Sequence, residues 1–289
     1  MKLPEFYKIG SPAISFELFP PRTARSLSEL EERLPGLISL NPSFMTVTYG
    51  ALGSTRDRTL EIASLLKNVY GMETAHHLTC VGATKADITE ILTEMQRHNI
   101  ENIVALRGDP PQEDGIFVPI ENGLSHGNQL VRHIREFADF GIAVAGYPEK
   151  HIEANDYKTD LQHLKSKVDS GAEVIITQLF YDNQHFYRFV KDCRAIGIAQ
   201  PIVAGLMPIL NFQQIKRITR MCGATIPSKL LKDLEDAGQD EEAVHRIGII
   251  HTSNQALDLL NQGVDGIHFY VLNRHFHIAE IMDRIKEAL

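Results

Sequence analysis

The chain has 289 residues, 43% hydrophobic and 23% charged, enough for a real core in one large α/β domain or two small domains. With 29 Lys and Arg against 37 Asp and Glu, the net charge is −8, and without a basic block nucleic acid and anionic membranes are not expected partners. Cys80, Cys193 and Cys222 lie too far apart for a CxxC zinc or redox pair, no signal-peptide core opens the chain, and no run reaches a membrane span, so a cytoplasmic location is expected.

In chain order, apolar β-branched runs alternate with amphipathic stretches. Ala13–Phe19 reads as a strand and Ser28–Leu40 as a helix with Ser28 as its cap. Ser43–Tyr49 is a strand, Ser54–Tyr70 a helix, Glu73–Val81 a strand and Thr84–His98 a helix. Ile103–Leu106 is the fourth strand, ended by Arg107-Gly108-Asp109 and two prolines that forbid a helix or a central ladder. The insertion Pro110–Gly127 is too long for a routine connection, and such loops are often functional or mobile. Then come a helix at Asn128–Phe140, a strand at Ile142–Tyr147, a helix at Asp156–Ser170 and a strand at Ala172–Leu179. Gln184–Ile196 is helical, Pro201–Leu206 is the seventh strand and Gln213–Cys222 is helical. Ser228–Leu234 and Glu241–Leu260 are extra helices, with acids 235, 236, 240, 241 and 242 forming a solvated turn. Gly266–Val271 is the eighth strand and Ile278–Ala288 the closing helix.

Eight short strands rich in Val, Ile and Phe, each buried on both faces, predict a single (β/α)8 TIM barrel with extra helices before the last strand. A doubly wound sheet is the second choice. GxGxxG after the first strand and GxxxxGK[ST] anywhere are missing, so a dinucleotide would bind by other means.

A barrel carries its chemistry at the C-terminal ends of its strands. Glu17 follows Phe16 and precedes Leu18, so alternation turns it to the face opposite both. A carboxylate on a buried strand is destabilised as an anion; its pKa should rise, which suits a general acid. The competing reading is an ion pair with Arg22 or Arg56. Asp109 sits in a polar loop behind a glycine that permits close approach of a ligand, or is a turn aspartate. His76 and His77 point to opposite faces and cannot share a metal; no metal site is expected. Gln178 interrupts an apolar strand as a reader of heterocycle edges or as a satisfied core amide. Phe212 could stack on a flat ligand or serve as a helix staple. Lys150, Lys165 and Lys167 could reach phosphates or belong to a solvated face. No GxSxG element or nucleophile cysteine supports acyl chemistry, and two acids in unlike settings point to an organic cofactor.

The segments SFELFPPR, TYGALGSTRDRT, HLTC, NIVALRGDPP, AGYPEKH, ITQLFYD, GLMPILNF and FYVLNR occur in an order that resembles the methylenetetrahydrofolate reductases, in their short bacterial form, over nearly the whole chain. The resemblance implies a TIM barrel carrying FAD that reduces 5,10-methylenetetrahydrofolate to 5-methyltetrahydrofolate with NADH or NADPH, in one-carbon metabolism and methionine biosynthesis. It implies a ping-pong scheme, with Glu17 as the acid that opens the folate ring to an iminium and flavin N5 as hydride donor. It implies FAD contacts from Thr48, Tyr49, His77, Arg107, Gly108, Asp109, Tyr147, His151, Ala154, Asp160 and Lys167. For the substrates it implies Glu17, Asp109, Gln178, Phe212 and Arg274.

The sequence departs from the family pattern at three places. Leu18 replaces a frequent phenylalanine. His163 and Ser166 stand where relatives have other polar or basic residues near the FAD phosphates. No C-terminal S-adenosylmethionine-binding regulatory domain is expected, residues 1–289 being one catalytic domain. A homo-oligomer is expected from the family. The alternatives are another flavin barrel, such as a proline dehydrogenase-like enzyme, a non-catalytic folate- or flavin-binding subunit, and a metal-dependent barrel hydrolase disfavoured by the sparse ligands.

Overall fold

The computed structural model describes residues 1–8, 11–21, 23–48, 56–109 and 117–289. A 3-10 turn, Leu3–Lys8, leads into β1 (Ala13–Leu18), α1 (Ala24–Ile38), β2 (Phe44–Val47), α2 (Arg56–Asn68), β3 (Thr74–Thr79), α3 (Lys85–Arg97) and β4 (Asn102–Leu106). The chain continues through α4 (Gly127–Phe137), β5 (Gly141–Gly146), α5 (Tyr157–Asp169), β6 (Val174–Thr177), α6 (Asn183–Ala195), β7 (Ile202–Leu206) and α7 (Phe212–Cys222). Two extra helices, α8 (Ser228–Ala237) and α9 (Glu241–Asn261), precede β8 (Gly266–Tyr270) and α10 (Phe276–Ile285).

The strands close into one parallel barrel in chain order, with β8 paired to β1. The expected (β/α)8 architecture and its extra helices are therefore present. Strand alternation explains both faces. Phe16, Leu18, Leu78, Ile103, Ile142, Ile175 and Phe269 point outward and pack beneath the helices. Phe44, Ala75, Val104, Ala143, Val174, Ile176 and Val203 fill the interior. Leu3 closes the lower end, where its N–H donates to Asn102 Oδ1 at 2.8 Å and the Phe6 ring lies 5.3 Å from that of Phe44. With the bottom plugged by apolar side chains, the open end is the one carrying the polar inward residues.

Several boundaries differ from the expected ones. Ser28 does not cap α1; the helix starts earlier because Thr23 and Ser26 make a reciprocal capping box, each side chain accepting from the other's backbone N–H. A Ser at N3 is a weaker sequence signal than the usual Glu or Gln. Helix α4 stops at Phe137, since the Arg135 guanidinium takes the carbonyls of Phe140 and Gly171 and turns the chain into β5. Helix α8 runs on to Ala237, so Glu235 and Asp236 lie in its last turn, while Asp240 caps α9 and Glu241 and Glu242 sit in its first turn. The second arrangement matches the helix dipole and the first opposes it. Among the described residues, no helix is long and apolar enough to cross a membrane.

Candidate active site

The residues singled out in the sequence fall into two groups and a rim. The first group surrounds a cavity of about 220 Å³ between the ends of β4 and β5 and helices α4 and α5. Arg107, Tyr147, His151, Asp160 and Lys167 line it, with His126, Asn128, His163 and Ser166. Helix α5 begins at the Asp156 cap, whose side chain accepts from Thr159 N at 2.8 Å. That start places Asp160 where its Oδ2 accepts the His151 N–H at 3.0 Å. His151 Nδ1 in turn accepts from Glu153 N at 3.1 Å, which fixes the ring proton on Nε2. The Tyr147 and His151 rings meet edge to face at 4.6 Å.

Lys167, two turns along α5, sends its ammonium inward to Ala145 O at 2.6 Å. Burial pulls that ammonium down to about 8, and Asp160 opposes the shift. Burial also raises the Tyr147 phenol above its ordinary range, as does the charge of Asp109. The His151 imidazole is lowered by burial and by Arg107. Arg107 engages both carboxylate oxygens of Glu153, with Nη2 to Oε1 at 2.7 Å, and lies 5.0 Å above the Phe117 ring. Those hydrogen bonds hold Glu153 below the usual carboxylate range. Glu153 was not among the residues expected at the site.

Gly108 has φ +87°, and a Cβ there would stand 2.9 Å from Val81 Cγ1 and 3.0 Å from Thr79 Cβ. Both conditions require glycine at the turn after β4. Asp109 follows it, exposed. Ala154 lies in the loop before α5; its carbonyl accepts from Lys150 Nζ at 2.5 Å. Lys150 is thereby bound to its own loop, and Lys165 pairs with Asp169 on α5. His163 is exposed, and Ser166 accepts from Asn128 Nδ2 at 2.9 Å.

The second group lies inside the barrel. Glu17 is 6% exposed, and its Oε2 sits 3.2 Å from His268 Nε2 and 3.5 Å from His77 Nε2. His77 thus faces inward and His76 belongs to the opposite face of β3, as adjacent strand positions must. Burial pulls the His77 imidazole down to about 4, although Glu17 opposes this. The partners considered for Glu17 from sequence, Arg22 and the Arg56 side chain, lie outside the described residues, as does Tyr49. Thr48 follows β2; its N–H donates to Leu18 O at 2.9 Å and its carbonyl accepts from Thr59 Oγ1 at 3.0 Å.

The remaining expected residues stand on the rim and do not line the cavity. Gln178 follows β6, with its N–H on Gly146 O and its Oε1 accepting from Leu179 N at 2.9 Å. Phe212 opens α7 behind its Asn211 cap and is packed in the cluster with Tyr181, Met207 and Ile215, with Lys216 Nζ 5.0 Å from its ring centre. Arg274 is exposed after β8, beyond Leu272 and Asn273, both in the left-handed region.

Three functional candidates were not singled out from sequence. His268 touches Glu17. Tyr270, next inward on β8, donates to Thr177 O at 2.8 Å, across a strand where a Cβ on Gly205 would lie 3.0 Å from the Tyr270 ring. Asn273 clamps the ends of β1 and β8, accepting from Phe19 N at 2.9 Å and donating to Phe19 O at 2.7 Å. All three lie more than ninety positions from their partners, so local sequence carries no signal of the contact. Burial pushes the Cys80 and Cys193 thiols up to about 12, so neither is a thiolate near neutrality. Among the described residues no three His, Cys, Asp or Glu side chains gather as a metal site.

Comparison with known proteins gives this constellation its context. A family model described as methylenetetrahydrofolate reductase matches residues 2–286. The chain belongs to that family. It is 38% identical to the 5,10-methylenetetrahydrofolate reductase of Escherichia coli strain K12, over 92% of this chain and 88% of that protein. It is 45% identical to methylenetetrahydrofolate reductase (NADH) 1 of Arabidopsis thaliana, over 91% of this chain and 46% of that one. The chain therefore spans about half the length of its plant relatives and most of the length of its bacterial ones. Among solved structures, an uncharacterised Clostridium thermocellum protein that binds two copies of 5-methyl-5,6,7,8-tetrahydrofolic acid superposes with a TM-score of 0.65 at 15% identity, over 98% of this chain and 96% of that one. A 2,3-dimethylmalate lyase superposes with a TM-score of 0.55 at 9% identity, over 99% and 85%. The distant superpositions give the barrel alone.

Proposed function

We propose that this chain is a catalytic barrel that reduces 5,10-methylenetetrahydrofolate to 5-methyltetrahydrofolate, with FAD as its bound cofactor and NADH as electron source. The observation that carries the reading is the buried Glu17 carboxylate at the open end of a barrel matched to the reductase family from residue 2 to residue 286. NADH is preferred over NADPH because the plant relatives are named for NADH.

The residues present fit FAD. The first cavity offers an inward ammonium whose only described hydrogen bond is to a carbonyl, which suits a diphosphate. Gly108 packs against Val81 and Thr79 with no room for a side chain, which keeps the turn beside Arg107 tight against the barrel. FAD, when bound, supplies hydride transfer from nicotinamide to folate. Around it, Lys167 and His163 hold the phosphates, Asp160 and His151 keep their loop and helix in register, and Arg107, Gly108 and Asp109 form one wall. Thr48, Tyr49, His77, Tyr147 and Ala154 complete the cofactor contacts.

Glu17 delivers the proton that opens the five-membered ring of the folate, in an interior that excludes water. Gln178, Phe212 and Arg274 take the folate along the rim, by hydrogen bonding, stacking and charge respectively. Asp109 supports the pterin and the cofactor together. Residues 1–289 act as one catalytic domain, and the protein works as a cytoplasmic homo-oligomer.

The test is direct. The purified protein shows a flavin spectrum or takes up FAD; reduced under anaerobic conditions, it is reoxidised by 5,10-methylenetetrahydrofolate. A protein that cannot take FAD, or a reduced flavin that folate leaves unchanged, refutes the reading. In Glu17→Gln the folate half-reaction falls by about 10²- to 10⁴-fold, the range of a lost general acid. Equal loss in flavin reduction by NADH would make Glu17 structural.

A further inference from the structure

Two cations line the cofactor cavity, and the protein treats them differently. Arg107 follows β4, and each of its three side-chain nitrogens already has a protein partner. Nε donates to Gly108 O at 3.1 Å, Nη2 donates to Glu153 Oε1 at 2.7 Å, and Nη1 donates to Glu153 Oε2. The guanidinium also lies 5.0 Å above the Phe117 ring. Lys167 meets one carbonyl, that of Ala145. A guanidinium engaged by both oxygens of a carboxylate is fixed in direction as well as position, whereas an ammonium is a point charge free to turn toward a phosphate. The role of Glu153 in this arrangement is not accounted for by the reading above.

Glu153 stands in the connection from β5 to α5, residues 147–156, which is braced from within. Lys150 has φ +85°, its N–H donates to Tyr147 O at 3.1 Å, and its Nζ donates to Ala154 O at 2.5 Å. The Ala154 N–H donates to His151 O at 3.0 Å, and the Glu153 N–H donates to His151 Nδ1 at 3.1 Å. The flanks are anchored too. The His151 N–H donates to Asp160 Oδ2 on α5 at 3.0 Å, and Glu149 accepts from the Thr225 N–H at 3.2 Å, in the link between α7 and α8. Such a loop shifts as one piece. Among the described residues, its hydrogen bonds to the turn after β4 are those of Glu153 with Arg107.

We propose that Glu153 is a positioning residue for the cofactor: through Arg107 it buckles the β5–α5 loop to the turn after β4 and holds two walls of the cavity at a fixed spacing. The inference rests on the FAD reading above. A rival role predicts the opposite sign. If Glu153 were only a negative charge near the cavity, it would repel a diphosphate, and its removal would tighten binding and release Arg107 to the phosphates. The geometry favours the buckle. Both carboxylate oxygens are engaged, and the side chains are 22% and 46% exposed, so the pair is less screened than a fully exposed one. The hydrogen bonds from Arg107 hold Glu153 below the usual carboxylate range, so the pair stays charged at physiological pH.

Two measurements test the buckle. Stopped-flow fluorescence quenching with FAD reads association and dissociation separately. In Glu153→Gln, dissociation quickens by about three- to tenfold while association stays within about twofold, and Kd weakens accordingly. Arg107→Gln combined with Glu153→Gln binds about as weakly as Arg107→Gln alone, because the second change breaks a pair already broken. Tighter binding or an unchanged dissociation rate in Glu153→Gln, or additive losses in the double variant, overturns the buckle. Hydrogen exchange on the apoprotein supplies the second measurement: the amides of residues 151–156 exchange faster in Glu153→Gln and the barrel strands keep their wild-type rates. Exchange unchanged in the loop, or raised throughout the barrel, overturns the buckle as well. A wild-type protein that takes up no FAD overturns the proposed function instead; the exchange measurement needs no flavin and still decides whether the pair holds the loop.

Discussion

Lys167 offers the sharpest quantitative test of the cofactor cavity. Its ammonium is drawn inward to Ala145 O, and burial lowers it to about 8, with Asp160 as the opposing charge. An anion bound beside it favours the protonated form, so binding and protonation are linked. The sign follows: below pH 8 the lysine is already charged and binding needs no proton uptake. Above pH 8 each binding event must first protonate it, and affinity falls as pH rises. With a free-state pKa near 8, apparent Kd for FAD is almost unchanged from pH 6 to 7 and weakens about tenfold between pH 7 and 9. Lys167→Met removes both the charge-assisted bond and the linkage. It weakens FAD binding by about 1.5–3 kcal/mol at pH 7, roughly ten- to hundredfold, and flattens the profile. The assay is titration of apoprotein with FAD by fluorescence quenching at each pH. A flat wild-type profile, or the wild-type slope surviving in Lys167→Met, refutes the argument that this ammonium faces the phosphates.

Further tests address the scaffold around the site. Gly108→Ala adds a Cβ at φ +87°, 2.9 Å from Val81 Cγ1, combining left-handed strain with overpacking for about 2–4 kcal/mol. For a chain of this length that lowers Tm by roughly 3–6 °C. Calorimetry reads it, and a wild-type melt together with wild-type FAD affinity would show that the turn tolerates a side chain. Asn273→Ala removes the two hydrogen bonds that tie Phe19 to the end of β8, at about 1–3 kcal/mol. Hydrogen exchange at the ends of β1 and β8 should rise selectively in that variant; a rise spread over the whole barrel would contradict a local clamp.

What could be read from the sequence depended on how local each cause was. The barrel was legible because inside–outside alternation and eight βα units repeat within short windows, and Gly108 was legible because turn chemistry is local. Glu17 was legible because a lone carboxylate interrupts an apolar strand. Its surroundings were not: Ser15 and His268 are 253 residues apart and meet only because β8 closes on β1. Once eight strands are counted, closure and parity would put inward His268 beside inward Ser15, so the signal existed at the level of topology. Arg107 and Glu153 meet through two loops, whose path no periodicity sets. Thr23 was passed over as a cap because its reciprocal partner is Ser26, not the longer acid or amide that marks the motif.

The barrel itself decides little about chemistry. A 2,3-dimethylmalate lyase and a folate-binding protein both superpose on it at under 20% identity. Here the two acids expected from sequence occupy opposite settings. Asp109 is exposed on the turn beside Arg107, open to serve as an acceptor. Glu17 is enclosed at 6% exposure, and among the described residues its oxygen meets histidines and no lysine or arginine. A histidine can meet a carboxylate through a hydrogen bond without the permanent charge of a lysine or arginine. A permanent cation in the place of His268 would pin Glu17 as an anion and remove its use as an acid. His268→Lys should therefore fold with a salt bridge to Glu17 and lose the folate half-reaction, whereas His268→Gln retains part of it; equal activity in the two would refute this account of why the site uses a histidine in place of a permanent cation.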